Sequence, residues 1–146
     1  MKHRSWVRDG LFAGAVGGLV AGIPSTLHGA LTGGGILTAT RAAGALILPK
    51  SRSKALLSVA GAAAHSVISL GWGVAMAGGL RTGAGPMTGA AAGLAIAALD
   101  LGVVGRRIPA IRRLPVVPQI LDHLVYGAAV GAALRSRGVP ARPEPG

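Results

Sequence analysis

The stretch from Gly89 to Gly105 constrains this chain most, because every residue in it except Asp100 is apolar or small. It ends at two arginines, Arg106 and Arg107. A run of this length and composition is typical of a helix that crosses a membrane. Asp100 would then be a carboxylate inside the membrane, where an acid is costly and usually faces a partner or a water-filled cavity. We therefore expect the rest of the chain to be organised around this helix and its acid.

The amino-acid composition is that of a membrane protein. The chain has 146 residues, of which 51% are hydrophobic and only 13% are charged, whereas soluble domains average about 25% charged residues. Aromatic residues make up 3%, so the large side chains of a soluble core are scarce, and the 25 glycines suit close contact between helices in lipid. This composition predicts one transmembrane helical domain over residues 1–134, followed by a disordered, basic and proline-rich tail at 135–146.

The formal net charge of +11 indicates what surrounds the protein. In a soluble protein it would suggest nucleic acid, but here the cations cluster between the apolar runs and at the chain ends. That pattern favours a lipid bilayer with anionic headgroups as the partner, and no nucleic acid. The excess of arginine over lysine and the absence of asparagine suggest a GC-rich bacterial genome. We therefore expect a multi-pass protein of the bacterial inner membrane.

Four apolar segments are long enough to cross a bilayer as helices. They lie at about residues 11–31, 55–80, 87–105 and 117–134. For the first, the alternative is a cleaved signal peptide, which its glycine spacing and the lack of a small-x-small cleavage site disfavour. The segment 35–48 is short and carries Arg41 in its middle, so we expect it to be interfacial or re-entrant, with a fifth crossing as the alternative. The predicted fold is an all-α polytopic membrane bundle of four transmembrane helices and one interfacial or re-entrant segment.

Small residues recur every four positions in the apolar segments. This spacing lets helix backbones approach closely. The residues predicted to pack in this way are Gly14, Gly18, Gly22, Gly89, Gly93, Gly127 and Gly131. Pro24 is expected to kink the first helix. Because four such helices bury few side chains, their glycine faces also predict a homo-oligomer or a membrane-protein partner.

The order of these features suggests an internal repeat of two hairpins. Residues 14–30 align without gaps with residues 89–105, and four of the paired positions are identical. Each of these helices is followed by a basic connector and then by a helix that bears a histidine. Two hairpins in the same orientation would be parallel repeats, related by an axis along the membrane normal.

The polar residues of the four segments converge on the membrane half nearest the basic connectors. Their depth follows from the rise of about 1.5 Å per residue of helix. The predicted intramembrane polar cluster consists of Ser25, His28, His65, Ser69, Asp100, His123 and Tyr126. Asp100 with a histidine would exchange protons or bind a cation; the alternative is that Asp100 only holds the helices together. Asp122 lies about 100° away from His123 on its helix and is expected to face the loop arginines.

The chain carries no motif for catalysis or for a cofactor. It has no cysteine, which excludes disulfides, thiolate metal sites and cysteine nucleophiles. GxSxG, HExxH and P-loop sequences are absent, and no segment has two histidines four residues apart. We therefore expect no enzyme, no metal site and no cofactor. The alternatives are a weak histidine–carboxylate metal site, or a non-covalent haem held between His65 and His123.

These features together resemble the YagU-type small bacterial inner-membrane proteins, whose biochemistry is unassigned. The resemblance lies in the glycine-spaced first helix, in a second helix with His65 followed by Ser66 and Ser69, and in a third helix rich in glycine and alanine. It also includes a fourth helix in which His123 is followed by Leu, Val and Tyr126. This chain is shorter than that family between its first two helices. The resemblance implies an integral membrane location and no known catalytic residues.

The sequence leaves two functions open. The first is a structural or accessory membrane subunit that packs against its partners through glycine faces. The alternative is a small proton- or cation-coupled transporter or channel that uses the intramembrane Asp/His cluster. A structural role predicts that Asp100→Asn abolishes assembly, whereas transport predicts an intact but inactive bundle.

Overall fold

The structure, a computed structural model, describes residues 5–80 and 83–138. Over these ranges the chain is helical and contains no strand. The α-helices are α1 (Trp6–Ala21), α2 (Ile23–Leu31), α3 (Thr38–Gly44), α4 (Lys54–Gly79), α5 (Pro86–Leu99), α6 (Pro109–Arg112) and α7 (Val116–Ser136). A π-helical turn, Asp100–Val104, and a 3-10 turn, Gly105–Arg107, continue the path of α5.

Four helical segments in the described ranges are long and apolar enough to cross a membrane. They are Trp6–Leu31, Lys54–Gly79, Pro86–Arg107 and Val116–Ser136. The prediction of an all-α chain with four such helices is therefore confirmed, and these helices indicate a multi-pass membrane protein. The first one begins earlier than predicted, at Trp6. The predicted tail also starts too early, because Arg135 and Ser136 belong to α7; residues 139–146 lie outside the described ranges.

The first crossing is interrupted at Gly22, close to the proline that was expected to kink it. α1 ends at Ala21 with Gly22 as its C-terminal cap, and α2 begins at Ile23. In an unbroken helix the ring of Pro24 would collide with the carbonyl group one turn earlier. In the first turn of α2 the ring is tolerated, because amides there have no partner within the helix.

We call the four long apolar helical segments the crossings. They form two hairpins, and contacts between α1 and α7 hold the two hairpins together. α1 packs along α4, α5 packs along α7, and α1 also packs along α7. Asp9 of α1 lies near Arg137, and Ser25 of α2 lies near Asp122 of α7, so these two crossings run antiparallel. We name the end of the bundle with Trp6 and Ser136 face A, and the end with the basic connectors 45–53 and 105–115 face B. The buried core includes Ala13, Ala21, Met76, Ala77, Ile96, Tyr126, Val130, Ala133 and Leu134.

Glycine brings the helix backbones of each hairpin into contact. In the first hairpin, a Cβ atom at Gly14 would lie 3.0 Å from the Cα of Leu70 and 3.2 Å from the Cα of Gly73. In the second hairpin, Cβ atoms at Gly89 and Gly93 would overlap backbone carbonyl oxygens of α7. Gly18, Gly127 and Gly131 also meet the opposite helix at contact distance. Hence all the predicted packing glycines except one lie at helix–helix contacts.

Gly22 is the exception among the predicted packing residues. A Cβ atom there would meet nothing within 4 Å. The regular helix α1 has already ended at Ala21, and Gly22 is its C-terminal cap. Conversely, Gly10 and Gly73 make close contacts that were not predicted. A Cβ at Gly17 would lie 2.6 Å from Val130 Cγ2, so this glycine sets the distance between α1 and α7.

The segment 35–48 folds into the short helix α3, which lies on α4. α3 has 7 residues, so it extends over only about 10 Å and is too short for a fifth crossing. Side chains at Gly44 and Gly61 would overlap backbone atoms of the opposite helix. Arg41 also donates from Nε to Ser58 Oγ at 3.3 Å, so the one charge in the middle of this segment is attached to α4.

Candidate functional site

A cavity of about 820 Å³ lies in the half of the bundle nearest face B. Small and apolar side chains form most of its wall, among them Ile68, Trp72 and Ile96. Its polar lining residues are Ser25, Thr26, Thr40, His65, Ser66, Ser69, Asp100, Gln119, Asp122, His123 and Tyr126. The cavity thus brings together every member of the predicted polar cluster except His28.

The break at Gly22 positions the helices that enclose this cavity. Before the break, α1 lies in backbone contact with α4 through Gly10 and Gly14, and Gly18 meets the side chain of Ser69. After the break, α2 packs on α7 and touches α3, and it has no comparable contact with α4. Ala39, Thr40 and Ala43 of α3 also line the space between α2 and α4.

Asp122 faces the cavity, and the prediction that it would face the loop arginines is wrong. Its Oδ1 accepts a hydrogen bond from the Ser25 backbone N–H at 3.0 Å, and its Oδ2 accepts one from the Ser25 hydroxyl group. Gln119 Nε2 donates to the same hydroxyl oxygen at 2.8 Å. The Ser25 amide belongs to the first turn of α2, where amides lack partners within the helix and a negative charge is favourable. Asp122 therefore caps α2 from another helix.

The spacing along α7 could have revealed this orientation. Asp122 and Tyr126 are four residues apart, as are Tyr126 and Val130, and residues at this spacing share one face of a helix. Tyr126 packs against Gly17 of α1, so its neighbour one turn earlier faces the same crossing. His123 is one position further on and lies on the face that packs against α5, where its carbonyl group contacts Gly93.

Asp100 and His123 form a second polar pair in the cavity wall. Asp100 Oδ2 lies 3.4 Å from His123 Nε2, and the two side chains are 28% and 20% exposed. On the other side of the ring, Nδ1 lies 2.7 Å from the backbone oxygen of Gln119. A carbonyl oxygen only accepts hydrogen bonds, so Nδ1 carries a hydrogen. A neutral imidazole then has no hydrogen on Nε2.

The pair therefore needs one additional proton to form a hydrogen bond between Nε2 and the carboxyl group. That proton is held either by His123, as imidazolium, or by Asp100, as carboxylic acid. The separation of 3.4 Å is longer than the usual 2.7–3.2 Å of such bonds, so the carboxyl group is not locked onto the ring. Asp100 also begins the π-helical turn, in which the Gly105 amide donates to the Asp100 carbonyl. Such turns are rare and are frequent at functional sites.

His65 and Tyr126 belong to the wall of the cavity but bond to backbone atoms. His65 Nε2 lies 2.8 Å from the Gly18 carbonyl oxygen, so this nitrogen donates. The Tyr126 hydroxyl donates to the Ser69 backbone oxygen at 2.5 Å, and both of these residues are buried. These two bonds tie α4 to α1 and to α7 at the depth where the cavity begins.

His28 does not belong to the site. It is half-buried in α2, and its side chain is not part of the cavity wall. Within the described ranges, no group of three or more His, Cys, Asp or Glu side chains is arranged to hold a metal ion. The polar residues of the cavity are spread in pairs over its wall, and that arrangement suits solute binding or proton exchange better than metal coordination.

The charge of the cavity wall is unlike that of the rest of the protein. The chain carries 15 lysines and arginines and only 4 acidic residues. Two of these acids, Asp100 and Asp122, lie in the wall, and none of the described residues that line it is a lysine or an arginine. The cavity is therefore an acidic site in a strongly basic protein, set among apolar groups that do little to screen it.

A third acid, Asp9, lies near face A, and its role was not predicted. Asp9 is 5% exposed in the first turns of α1. Its Oδ1 lies 3.4 Å from Nη1 of Arg137, whose guanidinium group also stacks 3.7 Å from the centre of the Phe12 ring. This ion pair joins α1 to the residue that follows α7, and it contributes nothing to the cavity.

Comparison with protein-family models, curated proteins and solved structures gave no match to this chain. The resemblance to YagU-type proteins stays a prediction. The cavity and its two carboxylates are the features from which a function follows.

Proposed function

We propose that this protein is a small membrane transporter that exchanges a cationic solute for a proton, with Asp100 as the group for which both compete. The observation that carries the proposal is the pair of carboxylates, Asp100 and Asp122, in a cavity wall without lysine or arginine among its described residues. Acids at membrane depth are costly and mark ion and substrate pathways when they face a cavity. A cation in this cavity would meet negative charge in an apolar setting, where Coulombic attraction is strong.

The proton enters through the pair that Asp100 forms with His123. The pair can hold one proton in addition to the hydrogen on His123 Nδ1. When it does, the negative charge of Asp100 is either neutralised by that proton or balanced by the imidazolium. A cation that approaches Asp100 competes with that proton, because both interact with the same carboxyl oxygen. Binding of the cation therefore releases a proton, and binding of a proton releases the cation. Asp122 accepts hydrogen bonds from the Ser25 amide and hydroxyl groups, which carry no charge, and among the described residues it forms no salt bridge. Its carboxyl group would therefore attract the cation to this end of the cavity.

The size and lining of the cavity favour an organic cation over a bare metal ion. A volume of about 820 Å³ falls within the range of about 300–1,000 Å³ that is usual for small-molecule sites. Trp72, Ile68 and Ile96 offer apolar and aromatic contacts, and cations with apolar substituents bind well to such surfaces. A bare ion would lack the set of oxygen or nitrogen ligands that replaces its water shell.

Binding of tetraphenylphosphonium to the purified protein in detergent tests this function. We expect saturable binding that strengthens as the pH rises, because the competing proton is then lost from the Asp100–His123 pair. Asp100→Asn should weaken binding at least tenfold, about 1.4 kcal/mol, with an unchanged elution profile on size exclusion. Asp9→Asn is the matched control, because it removes an acid outside the cavity and should leave the affinity unchanged. Equal binding by the wild type and Asp100→Asn would contradict the proposal.

A second candidate, the accessory or structural subunit, is favoured by one face of α4. Gly71 and Gly79 meet nothing within 4 Å, and Ala75 between them is exposed. This spacing allows a close approach by a second copy or by another membrane protein. The predicted packing glycines of the other helices, apart from Gly22, already contact another helix of the same chain. Gly71→Leu would disrupt such an assembly and leave cation binding intact, whereas a transporter that acts alone would be unaffected.

The internal repeat also remains a proposal, and the contacts of the two hairpins support it. Gly14 contacts the backbone of Ser69 and Gly73, four and eight residues after His65. Gly89 contacts the backbone of Gly127 and Gly131, four and eight residues after His123. Both hairpins therefore pair in the same register relative to their histidines, as parallel repeats would.

We assign the protein to the bacterial inner membrane as part of the same proposal. The cations of face B would then lie beside anionic headgroups, and α3 would lie at the interface on that side without crossing.

A further inference from the structure

A second groove lies on the outside of the bundle at face B, separate from the acidic cavity. It has a volume of about 460 Å³ and runs between the end of α5, the π-helical turn, α6 and the start of α7. Its walls are apolar, with Leu101, Ile111, Leu114 and Ile120 among the lining residues. Two arginines, Arg106 and Arg112, also line it, and no acid does so among the described residues.

The fold brings the two arginines to the same groove through a folded connector. Gly105 is buried under α6: a Cβ atom there would lie 3.0 Å from Ile111 Cγ2 and 3.0 Å from the Asp100 carbonyl oxygen. This contact holds α6 back against the end of the third crossing. Arg106 directly follows Gly105, and Arg112 directly follows Ile111, so both guanidinium groups are carried by the packed unit and not by a free loop.

Among the described residues, no acid balances the charges of these arginines. Arg106 and Arg112 are exposed, and neither forms a salt bridge with an acid in residues 5–80 and 83–138. They lie at and just beyond the end of a helical segment that is long and apolar enough to cross a membrane, which would place them near the lipid headgroups. The apolar lining of the groove continues from them along α5 and α7. Guanidinium groups are well suited to bind phosphate oxygens, and basic pockets between membrane helices bind anionic lipid headgroups.

We propose that this groove is a binding site for one anionic phospholipid. Its phosphate group would be held by Arg106 and Arg112, and an acyl chain would lie along Leu101 and Ile120. A free phosphate ion would use only the arginines and would gain nothing from the apolar wall. The site is independent of the transport proposal, because no residue that holds the lipid belongs to the Asp100–His123 pair.

Binding of defined lipids to the full-length protein in detergent, measured by native mass spectrometry, tests this site. We expect phosphatidylglycerol to bind more tightly than phosphatidylcholine with the same acyl chains. The double variant Arg106→Gln/Arg112→Gln should bind phosphatidylglycerol about 30-fold more weakly, the factor expected for two arginines close to an anionic headgroup. Arg107→Gln/Arg113→Gln is the matched control. It removes the same charge from the same connector, but neither residue lines the groove, so binding should be retained.

The apolar part of the groove is tested separately. A Cβ atom at Gly102 meets nothing within 4 Å, and Gly102 lines the groove. Gly102→Leu should therefore fold normally, fill the groove and weaken phosphatidylglycerol binding. The deacylated headgroup, glycerophosphoglycerol, should not bind at the same concentrations. Equal losses in the two arginine double variants would overturn the proposal, since diffuse charge would then explain binding. Strong binding of the deacylated headgroup, or unchanged binding by Gly102→Leu, would overturn it as well.

Discussion

Gly89→Ala tests the backbone contact between α5 and α7 on which the second hairpin depends. The new Cβ atom would overlap the Gly127 carbonyl oxygen and lie 2.9 Å from the Gly131 Cα. Ordinary contact for a Cβ atom begins at 3.4 Å, and all of the nearest atoms belong to the backbone. No side-chain rotation relieves the overlap, so α5 and α7 have to move apart by about half an ångström or more. Overpacking of this kind typically costs about 1–3 kcal/mol.

A control substitution at a second glycine separates the cost of overpacking from the effect of helix propensity. Replacing glycine by alanine inside a helix stabilises it by about 0.5–1 kcal/mol, which would hide part of the effect. Gly71→Ala makes the same change inside α4 at a position with nothing within 4 Å, so the propensity gain cancels in the comparison. We expect Gly89→Ala to be less stable than Gly71→Ala by about 1–3 kcal/mol, measured by unfolding in mixed micelles with increasing dodecyl sulfate. Equal stability of the two variants would refute the close contact.

Three further predictions follow from single contacts. Tyr126→Phe removes the hydroxyl group that donates to the Ser69 oxygen and should lower the free energy of unfolding by about 1 kcal/mol; an unchanged value would mean that the bond is not formed. Asp9→Asn weakens the partly buried pair with Arg137 and should cost about 1.5–3 kcal/mol in the same titration, and a neutral effect would contradict the pairing. Cysteines placed on either side of the segment 35–48, as Gly33→Cys and Ser51→Cys, should both react with an impermeant reagent from one side of the membrane; reaction from opposite sides would show a fifth crossing.

The sequence was informative where a local pattern decides the structure. The apolar runs give the four crossings, because burial in lipid requires about 20 apolar residues whatever the neighbours are. The four-residue spacing of Gly89 and Gly93 indicates close packing, since small residues at this spacing let two helix backbones approach closely. The same spacing was wrong at Gly22. Pro24 does not allow an unbroken helix here, so α1 ends at Ala21, one residue before Gly22. Residues four positions apart share a face only within one continuous helix.

The placements that the sequence did not predict depend on how each helix is rotated and on which helices pack together. Asp122 was expected to face the loops because it is near a helix end, but its orientation is fixed by the packing of Tyr126 on Gly17. Asp9 was assigned no partner from the sequence, and Arg137, with which it pairs, lies 128 residues further along the chain. Nothing in either local sequence specifies that pairing, so it emerges only when α1 and α7 are placed side by side.

Proton flux coupled to a cation gradient tests the transport proposal most directly. Proteoliposomes with an acidic lumen and the pH dye pyranine inside would receive external tetraethylammonium, a permanently charged cation. Exchange predicts that the lumen becomes more alkaline when the cation is added to vesicles with the wild type or with Asp9→Asn, and that vesicles with Asp100→Asn behave like protein-free ones. The proposal would be contradicted if tetraethylammonium moved no protons through the wild type, or if Asp100→Asn retained the flux.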